Sequence, residues 1–203
     1  MSVTICLLMG YLLGSLSPAA LLSKLKQKDL REHGTGNLGA TNTLLTFGAK
    51  CGAFVMVFDI AKSFLSVKLA GILFPALSIG GLVAGGGAIL GHVFPFYMKF
   101  KGGKGLAAFG GMVLAFDPLI FLILLLLGSA VMLVLNHGVA LTMTGISLFP
   151  ILTGIRTGSV LPALAALIIS IILLLKHIDN LIEVKNGEDI KIRDYLKEHI
   201  RRC

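Results

Sequence analysis

The sequence predicts an all-α fold: a polytopic membrane bundle of about seven transmembrane helices, with the N-terminus outside and the C-terminus cytoplasmic. Three observations predict it. Hydrophobic residues make up 56% of the 203 residues and charged residues only 14%, with a mean hydropathy of +0.92. A soluble domain of this length has no interior large enough to hide that apolar surface. Apolar runs recur near the roughly 20 residues that a helix needs to cross a hydrocarbon core. The basic residues gather in alternate loops, as the positive-inside rule requires.

Spans are expected near residues 2–24, 51–74, 77–97, 106–116, 118–135, 138–155 and 159–176. The N-terminus lacks the basic stretch and small-residue cleavage site of a signal peptide, so the first span is a retained helix. The fourth run, about 11 residues long, is a half-span or a helix tilted into the bundle. Pro75, Pro118 and Pro150 fall at or near span ends, where a missing N–H costs least. In the third span Gly81-x-x-x-Gly85 and Gly87-x-x-x-Gly91 read as close helix packing. Trp is absent, leaving Tyr11, Tyr97 and lysines as interfacial anchors.

An odd number of spans sets the termini on opposite sides, and the charges agree. Lys24, Lys26, Lys28, Arg31 and Lys50 fall between spans one and two, and Lys99, Lys101 and Lys104 between spans three and four. Lys176, Lys185, Lys191, Arg193, Lys197, Arg201 and Arg202 follow span seven, whereas the other side collects Arg156 and Lys68. The positive-inside rule makes the basic side cytoplasmic. The net charge of +8 therefore reflects membrane topology and contact with lipids, with no nucleic-acid partner implied. Residues 1–203 read as one domain, whose tail, 179–203, mixes Leu181, Ile182, Val184, Ile190, Ile192, Tyr195, Leu196 and Ile200 with charges. That mixture predicts a short amphipathic helix at the cytoplasmic surface.

Cys6, Cys51 and Cys203 have no metal-binding spacing, and no metal or other cofactor is expected. Two glycine-rich loops stand out instead: Gly34-Thr35-Gly36-Asn37-Leu38-Gly39-Ala40-Thr41-Asn42 and Lys99-Phe100-Lys101-Gly102-Gly103-Lys104-Gly105. The first contains Gly34-x-Gly36-x-x-Gly39 but has no βαβ setting for a dinucleotide. The second is no Walker loop, because Met98 stands at the leading glycine position and Gly105 at the magnesium-binding Ser or Thr position. Both share a simpler property. Closely spaced glycines let backbone N–H groups converge on phosphate oxygens, and Lys104 adds a flexible positive charge. With Asn37, Thr41, Asn42 and His92 beside them, the loops predict a phosphate site at the cytoplasmic face.

His177 and Asn180, three apart, share one helix face at the end of span seven. Asp59 and Lys62 have the same spacing inside span two, where an ion pair is costly unless it serves a site or locks packing. The expectation is a structural pair pointing toward the loops, with a proton or ion relay as the alternative. His137 lies in the turn between spans five and six.

These residues resemble a known family. Leu30-Arg31-x-x-Gly34-x-Gly36-Asn37-x-Gly39-Ala40-Thr41-Asn42 resembles the first motif of the bacterial acyl-phosphate-dependent glycerol-3-phosphate acyltransferases. Gly91-His92-x-Phe94-Pro95-x-Tyr97-x-x-Phe100-Lys101-Gly102-Gly103-Lys104-Gly105 resembles their second, and His177-x-x-Asn180 followed by Gly187-Glu188 their third. Tyr11-x-x-Gly14-Ser15 and Asp59-x-x-Lys62 also fit. The resemblance implies a seven-helix enzyme moving an acyl group from acyl phosphate to the 1-hydroxyl of sn-glycerol 3-phosphate, without acyl-CoA, a metal or an acyl-enzyme intermediate. It implies Thr35, Lys104, His177 and Asn180 as the catalytic set. Gly34, Gly36, Asn37, Gly39, Thr41, Asn42, His92, Lys101, Gly102 and Gly103 then bind the substrates.

The chain departs from the family pattern at named positions. Thr35 stands where Ser is usual, Leu45 where Arg is common, and His137 and Ala140 where Arg and Ser are expected. Ser17-Pro18 shifts a Ser-x-Pro spacing by one. Losing guanidinium groups changes phosphate binding, so an altered-substrate or non-catalytic relative remains as one alternative. A small-molecule transporter is the other.

Overall fold

The structure, a computed structural model, describes residues 1–189 and 191–193. Among these, regular structure is helical except for one isolated antiparallel bridge between His137 and Lys191. The chain forms two compact units, Met1–Pro118 and the residues from Leu119 onward.

The first unit contains α1 (Ser2–Ser15), α2 (Pro18–Leu25), α3 (Ala40–Phe47), α4 (Ala49–Leu73), α5 (Gly80–Val93) and α6 (Leu106–Phe116). The expected first span is broken in two. Ser17 caps α2 by accepting the Ala20 amide at 3.2 Å, and Pro18 supplies a first helical residue that needs no N–H partner. The break deprives Ser15 and Leu16 of helical donors for their carbonyls. Tyr97 Oη donates to Ser15 O at 2.6 Å and Lys62 Nζ to Leu16 O at 2.8 Å, replacing them.

Helix α5 is buried along nearly its whole length. Its glycines allow this, as the spacing predicted. A Cβ at Gly87 or Gly91 would run into the Leu7 or Tyr11 carbonyl of α1, and one at Gly81 or Gly85 would press tightly on the Val67 side chain of α4. Gly85 also faces Met112 of α6, and Gly111 packs on the Ile60 carbonyl of α4. Small residues thus bring backbones close where lipid supplies no hydrophobic drive between helices.

The second unit contains α7 (Pro118–Leu135, whose first residue closes the first unit), α8 (Val139–Thr157), α9 (Val160–Lys176) and α10 (Ile178–Asn186). Helix α8 continues past Pro150, which lies inside the helix, whereas the sequence placed this proline at or near a span end. Apolar residues on both sides carry the helix across one lost hydrogen bond. Gly187, in the left-handed region, ends α10. Of the expected amphipathic tail, Ile190 and residues 194–203, which include Tyr195, Leu196, Lys197, Ile200, Arg201, Arg202 and Cys203, lie outside the described residues.

By length and composition, four helical segments among the described residues can cross a membrane: Ser2–Leu25, Gly80–Met98, Pro118–Leu135 and Val139–Thr157. The pair α9 and α10, bent by 47°, makes a fifth if taken as one span. Helix α4 is long enough but carries Lys50, Asp59, Lys62 and Lys68, and α6 has only 11 residues.

Candidate active site

The first loop joins α2 to α3 and is anchored at two points. Leu30 and Leu38 are buried in one cluster with Ala19 and Val55, so the intervening residues project from a fixed base. Asp29 opens the loop by accepting the Arg31 amide at 2.9 Å and pairing with its guanidinium at 2.7 Å. The Arg31 side-chain hydrogen bond is the main reason the Asp29 carboxyl lies below its ordinary pKa.

Gly34 and Gly36 take φ of 59° and 68°, a region glycine enters without steric cost. Asn42, in the first turn of α3, is fully buried. Its Oδ1 accepts the Thr35 amide at 2.9 Å and its Nδ2 donates to Leu30 O at 2.7 Å. Asn42 therefore fixes the loop and with it the position of Thr35. Thr35, Gly34, Gly36 and Thr41 are exposed, and the half-buried Asn37 lays its amide against Gly39.

The second loop begins where α5 ends. The Gly102 amide donates to Val93 O at 3.0 Å and the Gly103 amide to His92 O at 3.1 Å, closing the end of α5. These two N–H groups, which the sequence reading aimed at phosphate, are engaged by helix carbonyls. His92 is buried, with Nδ1 at 3.0 Å from Lys62 Nζ and 3.3 Å from Asp59 Oδ1. The Nε2 edge of its ring faces the Gly103 α-carbon. A Cβ on Gly103 would collide with that ring and stand 2.7 Å from Leu38 O. The two loops meet there.

Helix α3 starts at Gly39 and α6 at Gly105, and neither N-cap residue offers a side chain to the first-turn amides. An uncapped helix N-terminus is an anion-binding element. Lys104 is half-buried just before α6, and Lys101 is exposed. Of the expected residues, the first unit thus brings together both loops, His92 and Lys104.

His177 and Asn180 belong to the second unit. His177 lies buried at the junction of α9 and α10, with Nδ1 at 2.8 Å from Leu173 O. A carbonyl only accepts, so Nδ1 carries a proton and Nε2 is the basic nitrogen of the neutral ring. Asn180 is half-buried in the first turn of α10.

His137 has partners the sequence did not disclose. Its Nδ1 lies 2.7 Å from Asp189 Oδ2, while Lys191 Nζ donates to Asp189 Oδ1 at 3.1 Å. Burial raises the Asp189 pKa, but the hydrogen bonds and charges of His137 and Lys191 outweigh it and leave the carboxyl below its ordinary range.

A family model described as Glycerol-3-phosphate acyltransferase matches residues 4–187. The chain is 34% identical over 197 residues to the glycerol-3-phosphate acyltransferase of Macrococcus caseolyticus (strain JCSC5402), covering 95% of this chain and 98% of that one. It is also similar to two crystal structures of PlsY, an integral membrane glycerol 3-phosphate acyltransferase. The glycerol 3-phosphate form gives a TM-score of 0.84 at 28% identity, covering 95% of this chain and 96% of that one. The lysophosphatidic acid form gives 0.81 at 27% identity, covering 94% and 95%. With its helical architecture and its two glycine loops, this chain belongs to the glycerol-3-phosphate acyltransferase family of integral membrane enzymes of phospholipid synthesis.

Proposed function

We propose that this protein transfers a fatty acyl group from acyl phosphate to the 1-hydroxyl of sn-glycerol 3-phosphate, giving lysophosphatidic acid and inorganic phosphate. The carrying observation is the meeting of the two loops at Leu38 and Gly103, beside Lys104 and the uncapped starts of α3 and α6. Both substrates are phosphate anions, and helix N-termini with an ammonium group suit them. With the Gly102 and Gly103 amides engaged by α5, the anion-facing groups of the second loop are Lys101, Lys104 and the α6 N-terminus.

In the reaction the C1 hydroxyl oxygen attacks the acyl carbon. A new C–O ester bond forms, the bond from that carbon to the phosphate oxygen breaks, and its electron pair leaves with phosphate. Lys104 offsets the charge that develops on the leaving group. Thr35, held by Asn42, gives a hydroxyl to a phosphate oxygen. The hydroxyl proton leaves on the inorganic phosphate, and the family resemblance supports His177 and Asn180 as the remaining members of the catalytic set. Acyl phosphate is itself activated, so the reaction as written uses no cofactor.

We further assign seven spans, with α4 and α6 completing the count, and one acyltransferase domain over residues 1–203. The N-terminus is outside, and the site and C-terminus are cytoplasmic. The alternation of basic loops supports this, and the burial of Asp59 and Lys62 keeps the two charges in the middle of α4 away from lipid.

The test supplies purified protein with labelled glycerol 3-phosphate and palmitoyl phosphate. Label entering lysophosphatidic acid supports the reading, and no lipid product with both substrates present overturns it.

A further inference from the structure

Helices α4 and α5 meet through small residues, yet the middle of α4 buries Asp59 to 2% and Lys62 to 3% exposure. Burying a charge is costly even after relaxation, and an ionisable residue within a membrane helix is rare without a use. The pair does not stand alone. Lys62 Nζ lies 2.7 Å from Asp59 Oδ1 and 3.0 Å from His92 Nδ1, and it donates to the Leu16 carbonyl at 2.8 Å. Leu16 O is a carbonyl orphaned by the break between α1 and α2. One ammonium group therefore joins α4, α5 and the break between α1 and α2.

The chain of contacts continues outward. His92 touches Gly103 twice: its carbonyl accepts the Gly103 amide at 3.1 Å, and the Nε2 edge of its ring faces the Gly103 α-carbon. The ring orientation that makes the second contact is the one whose Nδ1 edge meets Asp59 and Lys62. The residue after Gly103 is Lys104. A rotated His92 ring would move Gly103, and with it the backbone that carries Lys104.

We propose that Asp59 and Lys62 are positioning residues for acyl transfer: they lock the His92 ring and the α1–α2 break, and through Gly103 they set where Lys104 delivers its charge. The inference rests on the proposed acyl transfer and assigns the pair no contact with substrate. Its rival is a pair that only fastens helices together.

The double variant Asp59→Leu/Lys62→Met separates the two, because apolar replacement of a whole buried ion pair is often neutral or stabilising. Positioning predicts that the protein that remains folded has a kcat lowered about 100-fold, with KM for glycerol 3-phosphate changed much less, and a thermal midpoint lowered only by the loss of the Leu16 carbonyl's donor. It also predicts that the Gly102 and Gly103 amides exchange with solvent about tenfold faster while the interiors of α4 and α5 stay protected. A folded double variant with wild-type kcat and wild-type exchange in the loop overturns the proposal. So does an activity loss that merely follows the folded fraction, with exchange rising throughout α4 and α5. If the double variant does not fold, Asp59→Asn, of the same shape, must show the same lowered kcat and faster loop exchange; wild-type values there overturn the proposal. The failures remain distinguishable. A wild-type protein that transfers no acyl group overturns the proposed reaction, while the exchange of Gly102 and Gly103 still decides whether the ion pair holds the loop.

Discussion

The Leu38 carbonyl faces the Gly103 α-carbon so closely that no side chain fits between them. Leu38 is held in the cluster with Leu30, and His92 closes the other side of Gly103, so neither neighbour gives way easily. Gly103→Ala is therefore expected to displace the second loop and lower kcat/KM about 100-fold while the helices stay folded. Steady-state kinetics beside circular dichroism check this, and wild-type turnover in a folded Ala variant contradicts it.

Lys104 is assigned the charge on the departing phosphate. Lys104→Ala should lower kcat by about 100- to 1,000-fold, the usual effect of removing one transition-state donor. The thermal midpoint in detergent should stay near that of wild type. Retained turnover removes Lys104 from the mechanism.

Asn42 joins the start of α3 to the first loop from both ends of its amide. Asn42→Ala leaves the Thr35 amide and the Leu30 carbonyl without these partners, at about 1–3 kcal/mol for each group that stays unsatisfied. A lower thermal midpoint and weakened acyl transfer are expected together, because Thr35 loses its support. An Ala variant as stable as wild type would show that water or a new partner replaces the amide.

Low pH should release the contact between Asp189 and His137. A depressed carboxyl pKa contributes stability that is fully present above the unfolded value, about 4 for Asp, and is lost as pH falls through the folded value. The Arg193 amide, which donates to Asn136 Oδ1 at 2.9 Å next to this contact, reports it. Its exchange protection should hold from neutral pH to about pH 4 and then decline, and Asp189→Asn should weaken protection already at neutral pH. Protection that ignores both changes would contradict the linkage.

Much of the helical pattern was legible because apolar runs and their breakers are local signals. The second expected span, 51–74, became Ala49–Leu73, between the positive-φ Gly48 and Pro75. The break in the first span was written as Ser17-Pro18, a helix-start signature, but an unbroken apolar context masked it. The i, i+3 spacing of Asp59 and Lys62 marked a pair, yet its third member, His92, comes from another helix whose rotation no spacing reveals. The glycines of the second loop were legible as necessary. Their reason was not, because it depends on where α5 ends and on which carbonyls then need donors. His137 read as a departure from an expected Arg, and its partner Asp189 lies 52 residues away.

The most direct test of the central claim is the stoichiometry of one reaction. Purified protein with palmitoyl phosphate should release inorganic phosphate only when glycerol 3-phosphate is present, with one lysophosphatidic acid formed for each phosphate. Phosphate release without the acceptor, or without matching lipid product, would contradict direct acyl transfer at this site.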